Sequence, residues 1–228
     1  MSKYDDAATF WNDVFRNKDV SVPKSEKSGN EGFDKGLTWL TQDSENILDF
    51  GCGNGTVLFL CSFYGSKNFI GIDLSEQAVI NAQKRSLNMK SGKYQFISGG
   101  IEALRSIESN SIEGAILSNI VDNLYPDDAR SLLEEIKRVL IENGKLFVKL
   151  NPYITEDEIS ANKIEVIEDN VLNDGLILWN NTTEQWQELF EKYFSVYNQY
   201  DINYQEYDQY NRIFLLINSK QSDIDHKS

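Results

Sequence analysis

The sequence predicts an α/β fold, with a doubly wound, seven-stranded and mainly parallel sheet (a Rossmann-like arrangement), N-terminal helices and a C-terminal antiparallel hairpin. Three observations support this prediction. Short β-rich runs alternate with helical patterns from about residue 45 to residue 150, a glycine-rich turn follows the first run, and two more β-rich runs close the chain. Strands that alternate with helices at this spacing favour parallel pairing through helical crossovers.

The first five strands are predicted from short runs rich in β-branched and aromatic residues. These runs are NILDF (46–50), NFIGID (68–73), YQFIS (94–98), EGAILSNI (113–120) and KLFVKL (145–150). Each run is too short for a typical helix and is bounded by turn residues, so we assign it to the sheet.

Helices are predicted in the intervals between these strands. TVLFLCSFYG follows the glycine-rich turn, and Ser75 is a typical N-cap for the next helix. Pro126, followed by two acidic residues, opens the helix before the fifth strand. The predicted faces are Val79, Ile80, Gln83 and Leu87 on the former helix, and Leu132, Leu133, Ile136 and Leu140 on the latter.

The remaining segments are predicted to flank this core. Two aromatic-bearing helices form a helical cap within residues 1–42, and the polar, weakly periodic residues 151–181 form a candidate lid insertion. A capped amphipathic helix over 182–194 and the two final strands complete one domain, residues 1–220, before a polar tail at 221–228.

Composition and charge restrict the class of protein. Hydrophobic residues make up 40% of the chain, which is typical of a globular domain, and the formal charge is −14. Because nucleic acids and anionic membranes attract clustered Lys and Arg, such acidity makes a nucleic acid an unlikely routine partner and a membrane an unexpected one. It permits a small or cationic substrate.

The scarce histidine and cysteine residues exclude several chemistries. The single histidine, His226, lies in the polar tail, so we expect no imidazole base, no histidine-based triad and no metal site. Cys52 and Cys61 do not resemble a disulfide framework, no apolar run approaches the ~20 residues of a membrane span, and the N-terminus has no signal-peptide core. We therefore expect a cytoplasmic location.

The stretch ILDFGCGNG places Gly51, Gly53 and Gly55 directly after the first predicted strand. Alternating glycines indicate positive φ angles or the close approach of another group, and ligands of doubly wound sheets bind at such a turn. Thr56 stands where a dinucleotide fingerprint has its third glycine, and no Gly-Lys-Ser/Thr follows for a phosphate loop. Asp49, just before the turn, suits a ligand that carries positive charge.

A second acidic residue, Asp73, ends the second predicted strand 18 residues beyond Gly55. An acid at this place can hold the hydroxyls of a ribose. Its alternative role is to cap the helix that begins after Ser75.

These two stretches resemble motifs of the class I S-adenosylmethionine-dependent methyltransferases. LDFGCGNG is similar to the first motif of that family and GIDLS to the second, and the resemblance covers roughly residues 45 to 150. It implies S-adenosylmethionine as cofactor, and a final hairpin in which the last strand but one is inserted antiparallel. The implied cofactor contacts are Asp49, Gly51, Gly53, Asn54 and Gly55 at the methionine end, Asp73 and Leu74 at the ribose, and Ser118 and Asn119 near the methionine or the sulfonium.

The chain departs from the family after the third strand. Members commonly have a Gly-Asp pair there, whose acid holds the adenine amino group, whereas this chain has SGGIEAL with Gly100 in the place of the acid. The resemblance then implies adenine recognition by the backbone at Gly100 and Ile101, together with Glu102.

Catalysis by such a site requires alignment and the exclusion of water, and a base only where the nucleophile must lose a proton. The catalytic residues are unknown from sequence, and the candidates are Asp122, after the fourth strand, and Tyr153. A loop acid or helix-entry residue is the alternative for Asp122. Trp11 and Phe15 can cap a sulfonium, although their spacing favours a core-facing stripe.

The sequence therefore predicts an S-adenosylmethionine-dependent methyltransferase that acts on a small molecule. The alternatives are a protein or RNA methyltransferase and a non-catalytic S-adenosylmethionine-binding protein. Neither the acceptor atom nor an oligomeric state is indicated.

Overall fold

A computed structural model describes residues 3–16, 21–173, 175–207 and 209–219. Seven strands form one sheet in the order β3-β2-β1-β4-β5-β10-β9, in which the first five are parallel and β10 is antiparallel to both of its neighbours. The strands are β1 (Asn46–Phe50), β2 (Asn68–Asp73), β3 (Lys93–Ser98), β4 (Ile112–Ser118), β5 (Leu140–Leu150), β9 (Ser195–Tyr204) and β10 (Gln209–Ile217). The predicted α/β fold with a doubly wound, mainly parallel sheet is confirmed.

The order of the final hairpin differs from the expectation. The last strand, β10, and not the last but one, is inserted between β5 and the edge strand β9. Six consecutive residues of β10 are buried, whereas only Ile202 is buried in β9. The apolar strand therefore occupies the interior position, and the polar strand occupies the edge.

Helices cover both faces of the sheet. The helices are α1 (Asp5–Arg16), α2 (Glu31–Thr41), α3 (Thr56–Phe63), α4 (Glu76–Ser86), α5 (Pro126–Val139), α6 (Glu156–Asn162) and α7 (Thr183–Phe190). Residues of α2, α3 and α4 pack in the core on one face, and residues of α5 and α7 pack in the core on the other. Within the described ranges, no helix combines the length and the apolar character needed to cross a membrane.

The face predicted for α4 is partly wrong. Val79 is buried, but Ile80 and Leu87 are 40% and 84% exposed. The inner face instead carries Ala78 and Ala82, because α4 packs closely against β2, β3 and α1. Small side chains allow this close approach.

Residues 151–181 contain a small structure of their own. After α6, the strands β6 (Glu165–Glu168), β7 (Val171–Asn173) and β8 (Ile177–Trp179) form a separate antiparallel sheet. The Trp179 ring packs on the Trp186 ring of α7, with centroids 5.0 Å apart. Its role as a lid, the helical cap and the domain limits stay predictions, and His226 and the tail lie outside the described residues.

Candidate active site

The predicted site residues lie at the carboxyl ends of β1, β2, β3 and β4, which are neighbours in the sheet. The turn at 51–55 follows β1, Asp73 ends β2, Gly100 follows β3, and Ser118 ends β4. The strand order thus brings together residues that are up to about 70 positions apart in the sequence.

The glycine turn combines positive φ angles with close neighbours. Gly51, Gly53 and Gly55 have φ angles of 79°, 51° and 81°. A Cβ atom on Gly51 would lie 2.2 Å from Ile120 Cδ1, and one on Gly53 would lie 3.0 Å from Phe15 Cζ. The sequence offers two explanations for alternating glycines, positive φ angles and the close approach of another group. Both are therefore found in this turn.

Gly51→Ala should be much more destabilising than Gly65→Ala. Both positions have positive φ, but a Cβ on Gly65 would meet nothing within 4 Å. We expect Gly65→Ala to cost about 1 kcal/mol from the backbone conformation, and Gly51→Ala a further ~1–3 kcal/mol because Ile120 must move. Urea unfolding of both variants measures the difference, and equal losses would contradict the close packing.

Asp73 binds the backbone of the glycine turn and of the next helix. Gly53 N donates to Asp73 Oδ2 at 2.7 Å, and Ser75 N donates to Oδ1 at 2.8 Å. The partly buried carboxylate thus has the expected local capping role and also fixes the turn. Burial raises its pKa. Leu74, 39% exposed, presents an apolar side chain beside it.

Asp49 is buried below the turn, and it forms no ion pair within residues 3–16, 21–173, 175–207 and 209–219. It is 1% exposed, and its Oδ1 has no hydrogen-bond partner among the described residues. Burial, with a smaller effect from the charge of Asp73, raises the pKa of Asp49 to about 8. Burial also raises the pKa of the adjacent Cys52 thiol, which fits a small spacer and not a nucleophile.

The loop after β4 carries two more buried oxygens without partners. Asn119 has a φ of 55°, its N donates to Lys149 O at 2.7 Å, and its Oδ1 lacks a donor within the described part of the chain. Asp122 is fully buried, and its Oδ2 accepts from Asn151 N at 2.6 Å while its Oδ1 lacks a partner there.

The oxygens without donors in the described residues thus include those of Asp49 at the end of β1 and of Asn119 and Asp122 after β4. Buried acceptors without donors are costly, so a donor-rich cation would stabilise them. An α-ammonium group, as S-adenosylmethionine carries, has the N–H donors that such acceptors require.

After β3, Glu102 folds back over the position where the family has its acid. Gly100 N donates to Glu102 Oε1 at 2.8 Å, and a Cβ on Gly100 would lie 2.8 Å from Oε2. The carboxylate of Glu102 therefore occupies the space that a side chain at residue 100 would fill. Adenine contact by Gly100, Ile101 and Glu102 stays a prediction.

Glu102→Ala should weaken binding of S-adenosylhomocysteine by about 1–2 kcal/mol, because the adenine amino group would lose a charged acceptor. S-inosylhomocysteine, which lacks that amino group, should bind the wild type and the variant equally. Calorimetric titration measures both ligands. An equal loss for the two would show that Glu102 only supports the loop.

The first helix lies across the turn and not in the core. None of its described residues is buried, and Trp11 is 37% exposed, so the core-stripe interpretation is wrong. Asn12 Oδ1 accepts from Ser75 Oγ at 2.8 Å, and Asn81 Nδ2 donates to Phe15 O at 2.7 Å. The first helix packs on α4 through these two hydrogen bonds, one at the N-terminus of α4 and one to Asn81 within it. Cofactor contact by Trp11 stays a prediction.

Residues 3–16, which we call the N-terminal strap, are also bound at their other end. Tyr4 Oη donates to Asp128 Oδ2 at 2.5 Å, and Tyr125 N donates to Tyr4 Oη at 3.1 Å. Lys3 Nζ lies 2.7 Å from the same carboxylate oxygen. The strap therefore crosses from the loop after β4 to the helix after β2, and passes over the β1 turn between them.

Arg85 is a structural residue of the site that sequence reasoning missed. Its side chain is almost completely buried in α4, and Nη1 donates to Thr56 Oγ1 at 2.8 Å and also to Asn54 O. Asn54 Oδ1 accepts from Thr56 Oγ1 at 2.9 Å. The only sequence signal was the helical spacing of Arg85 from the buried Ala78 and Ala82.

The two catalytic candidates are not placed together. Asp122 is buried against Asn151, whereas Tyr153 is 40% exposed and lines clefts formed with residues such as Asn180 and Arg212. Residues of the glycine turn do not line these clefts. Asp122 has a clear structural role in holding the start of the segment after β5.

Residues 48–148 match the family described as methyltransferase domain. The same topology is found in a solved N-methyltransferase, NodS from Bradyrhizobium japonicum, in complex with S-adenosyl-L-homocysteine. That structure has a TM-score of 0.67 and 13% identity, over 95% of this chain and 100% of the other. Over residues 48–148 the chain is therefore similar to methyltransferase domains, and it shares the fold of this solved N-methyltransferase.

Curated relatives of this chain differ in what they are named for. The chain is 28% identical over 117 residues to a ribosomal protein L11 methyltransferase of Vibrio parahaemolyticus, covering 48% of this chain and 36% of that one. It is 26% identical over 172 residues to the tRNA N(3)-methylcytidine methyltransferase trm140 of Schizosaccharomyces pombe, covering 70% and 55%. This chain thus spans about a third to about half the length of these relatives.

Proposed function

We propose that the protein transfers a methyl group from S-adenosylmethionine to a small-molecule acceptor by in-line displacement. The observation that carries the small acceptor is the N-terminal strap, which is hydrogen-bonded on both sides of the β1 turn. A macromolecular surface would have to displace this strap to reach the ends of β1 and β4. A small molecule has only to enter beside it.

The cofactor supplies an activated methyl group, and the protein aligns the reactants and excludes water. In this proposal Asp73 holds the ribose, while Asp49 and Asn119 accept hydrogen bonds from the α-ammonium group. Ser118, at the end of β4, borders the path of the methyl group. Phe15, over Gly53, helps to keep water out.

Proton removal, where an acceptor needs it, has two candidates. Asp122 offers its unbonded Oδ1, since Oδ2 is bound to Asn151. Burial raises the pKa of Asp122, which favours proton uptake. Tyr153 is more exposed and would act only on an acceptor that reaches its cleft.

The relatives named for a ribosomal protein and for tRNA favour a macromolecular acceptor as the second candidate. The acidity of this chain speaks against tRNA, since neutralising phosphates requires clustered cations. The strap argues against both tRNA and a protein as acceptor, because its hydrogen bonds on both sides of the β1 turn would have to break.

The test is transfer from methyl-labelled S-adenosylmethionine into three fractions of a cell extract: small molecules, RNA and protein. We expect label in the small-molecule fraction. Asp73→Ala serves as the inactive control. Label only in RNA or protein would overturn the small acceptor, and cofactor binding without transfer to any fraction would favour a non-catalytic binding protein.

A further inference from the structure

Lys149 lies at the carboxyl end of β5, on the acceptor side of the predicted cofactor residues. Its Cα pairs with Ser118 at the end of β4 and with Ile213 of β10. Side chains of paired residues on neighbouring strands lie on the same face of a sheet. Lys149 and Ser118 therefore share one face, which α2 covers.

The ammonium group of Lys149 has no oxygen partner among the described residues. No ion pair or hydrogen bond of Lys149 Nζ is found there, and the group lies 5.1 Å from the ring centre of Tyr204 and 5.8 Å from that of Phe33. Lys137 and Lys145, also partly buried, instead donate to carbonyl oxygens of Tyr193 and Trp39. Lys149 thus differs from the comparable lysines of this chain.

A partly buried ammonium without an anion is unfavourable, and two aromatic rings compensate for it only in part. Burial lowers the pKa of Lys149, while the charge of Asp122 acts in the opposite direction. The Asp122 carboxylate is bound to Asn151 and does not reach ion-pair distance. An oxyanion beside Lys149 would complete its hydrogen bonds and neutralise its charge.

The position of Lys149 indicates where that oxyanion comes from. The predicted methionine, ribose and adenine contacts lie at the ends of β1 to β4, and β5 is one strand further along the sheet. An acceptor that presents its nucleophile at Ser118 would extend over β5. Its remote end would then meet Lys149.

We propose that Lys149 binds an anionic oxygen of the acceptor, so that the small molecule methylated by this protein carries a carboxylate or a comparable oxyanion. This inference rests on the proposed function. Lys149 is a specificity-determining residue in this account, and it takes no part in the methyl transfer itself.

The first test observes the lysine directly. Protein labelled with ¹³C at lysine Cε is titrated with acetate, acetamide and chloride, and Lys149→Met identifies the signal. We expect the Lys149 signal to respond to acetate in a saturable way, and to respond to neither acetamide nor chloride. No response to acetate, or an equal response to chloride, would overturn the anion site.

Two further arms separate the sources of the oxyanion. If S-adenosylhomocysteine shifts the Lys149 signal while 5′-methylthioadenosine, which lacks the amino-acid end, does not, the carboxylate is the cofactor's and the acceptor assignment is overturned. In transfer assays with the small-molecule fraction, we expect label in products retained by an anion exchanger. Lys149→Met should lose at least tenfold of that label, and Lys149→Arg should retain most of it.

Failure of this inference is distinguishable from failure of the proposed function. Lys149→Met should bind S-adenosylhomocysteine like the wild type, which shows that the variant is folded. Transfer to neutral or cationic products would overturn the anionic acceptor and leave methyl transfer standing. If the wild type bound no S-adenosylhomocysteine, the proposed function would fail, while the acetate titration would still report on Lys149.

Discussion

Asp73→Ala should reduce the affinity for S-adenosylhomocysteine by at least 30-fold, about 2 kcal/mol, from a micromolar value in the wild type. The carboxylate accepts from Gly53 N and Ser75 N, and in the proposed complex it also accepts from the ribose hydroxyls. Removing it therefore loosens the turn and deletes ligand bonds together. Calorimetric titration measures the loss, and NADH should bind neither protein.

A modified ligand separates these two effects of Asp73. The 2′-deoxy analogue of S-adenosylhomocysteine should bind the wild type more weakly than the parent compound does. The two should bind Asp73→Ala about equally. A penalty for the missing hydroxyl that is the same in both proteins would show that Asp73 only organises the turn, and the ribose assignment would have to be withdrawn.

Asp49→Asn should stabilise the ligand-free protein increasingly as the pH rises from about 4 to 8. The folded-state pKa of Asp49, about 8, lies above the ordinary value of an aspartate. The wild type therefore loses stability once the pH exceeds the unfolded-state pKa, until the folded protein also ionises. The variant lacks this loss, which we expect to reach on the order of a few kcal/mol.

Urea unfolding of the wild type and Asp49→Asn across this pH range measures the effect. The buried amide adds an offset that does not depend on pH, so the change in the difference between the two proteins is the test. A difference that stays constant between pH 4 and pH 8 would show that Asp49 is already ionised in the folded protein.

Ligand binding should reverse the protonation of Asp49. An α-ammonium group beside the carboxylate favours the charged form, so S-adenosylhomocysteine should release protons on binding at pH 7. Calorimetry in two buffers of different ionisation enthalpy counts these protons. Asp49→Asn should bind more weakly and release fewer, and identical proton release would place the ammonium elsewhere.

Much of the fold was predictable because its signals are local. Apolar runs, the Ser75 cap and Pro126 each act within a few residues, and the elements they predict are found. The same holds for Asp49 and Asp73, which lie at the last position but one of β1 and at the last position of β2. The acidic side chains at the ends of these strands then indicated what kind of ligand the site binds.

The predictions were wrong where the buried face of a helix depends on which distant segment packs against it. The sequence of α1 has apolar residues at helical spacing, but it does not say that α1 lies on α4 and over Gly53. The face of α4 was assigned to its larger side chains, whereas the close approach of the helices selects Ala78 and Ala82. Such choices depend on contacts between distant segments.

By itself, the sequence determined the layered fold, the glycine turn and the acids around it, because backbone conformation and strand ends are set locally. Only the tertiary structure decided that β10 is the inserted strand and that the strap is bonded at both ends. It also decided that Lys149 has no anionic partner in the part of the chain that the structure describes. Burial and pairing of groups far apart in the chain are properties of the packed molecule. They set the pKa of Asp49 and the environment of Lys149, which no spacing of residues could reveal.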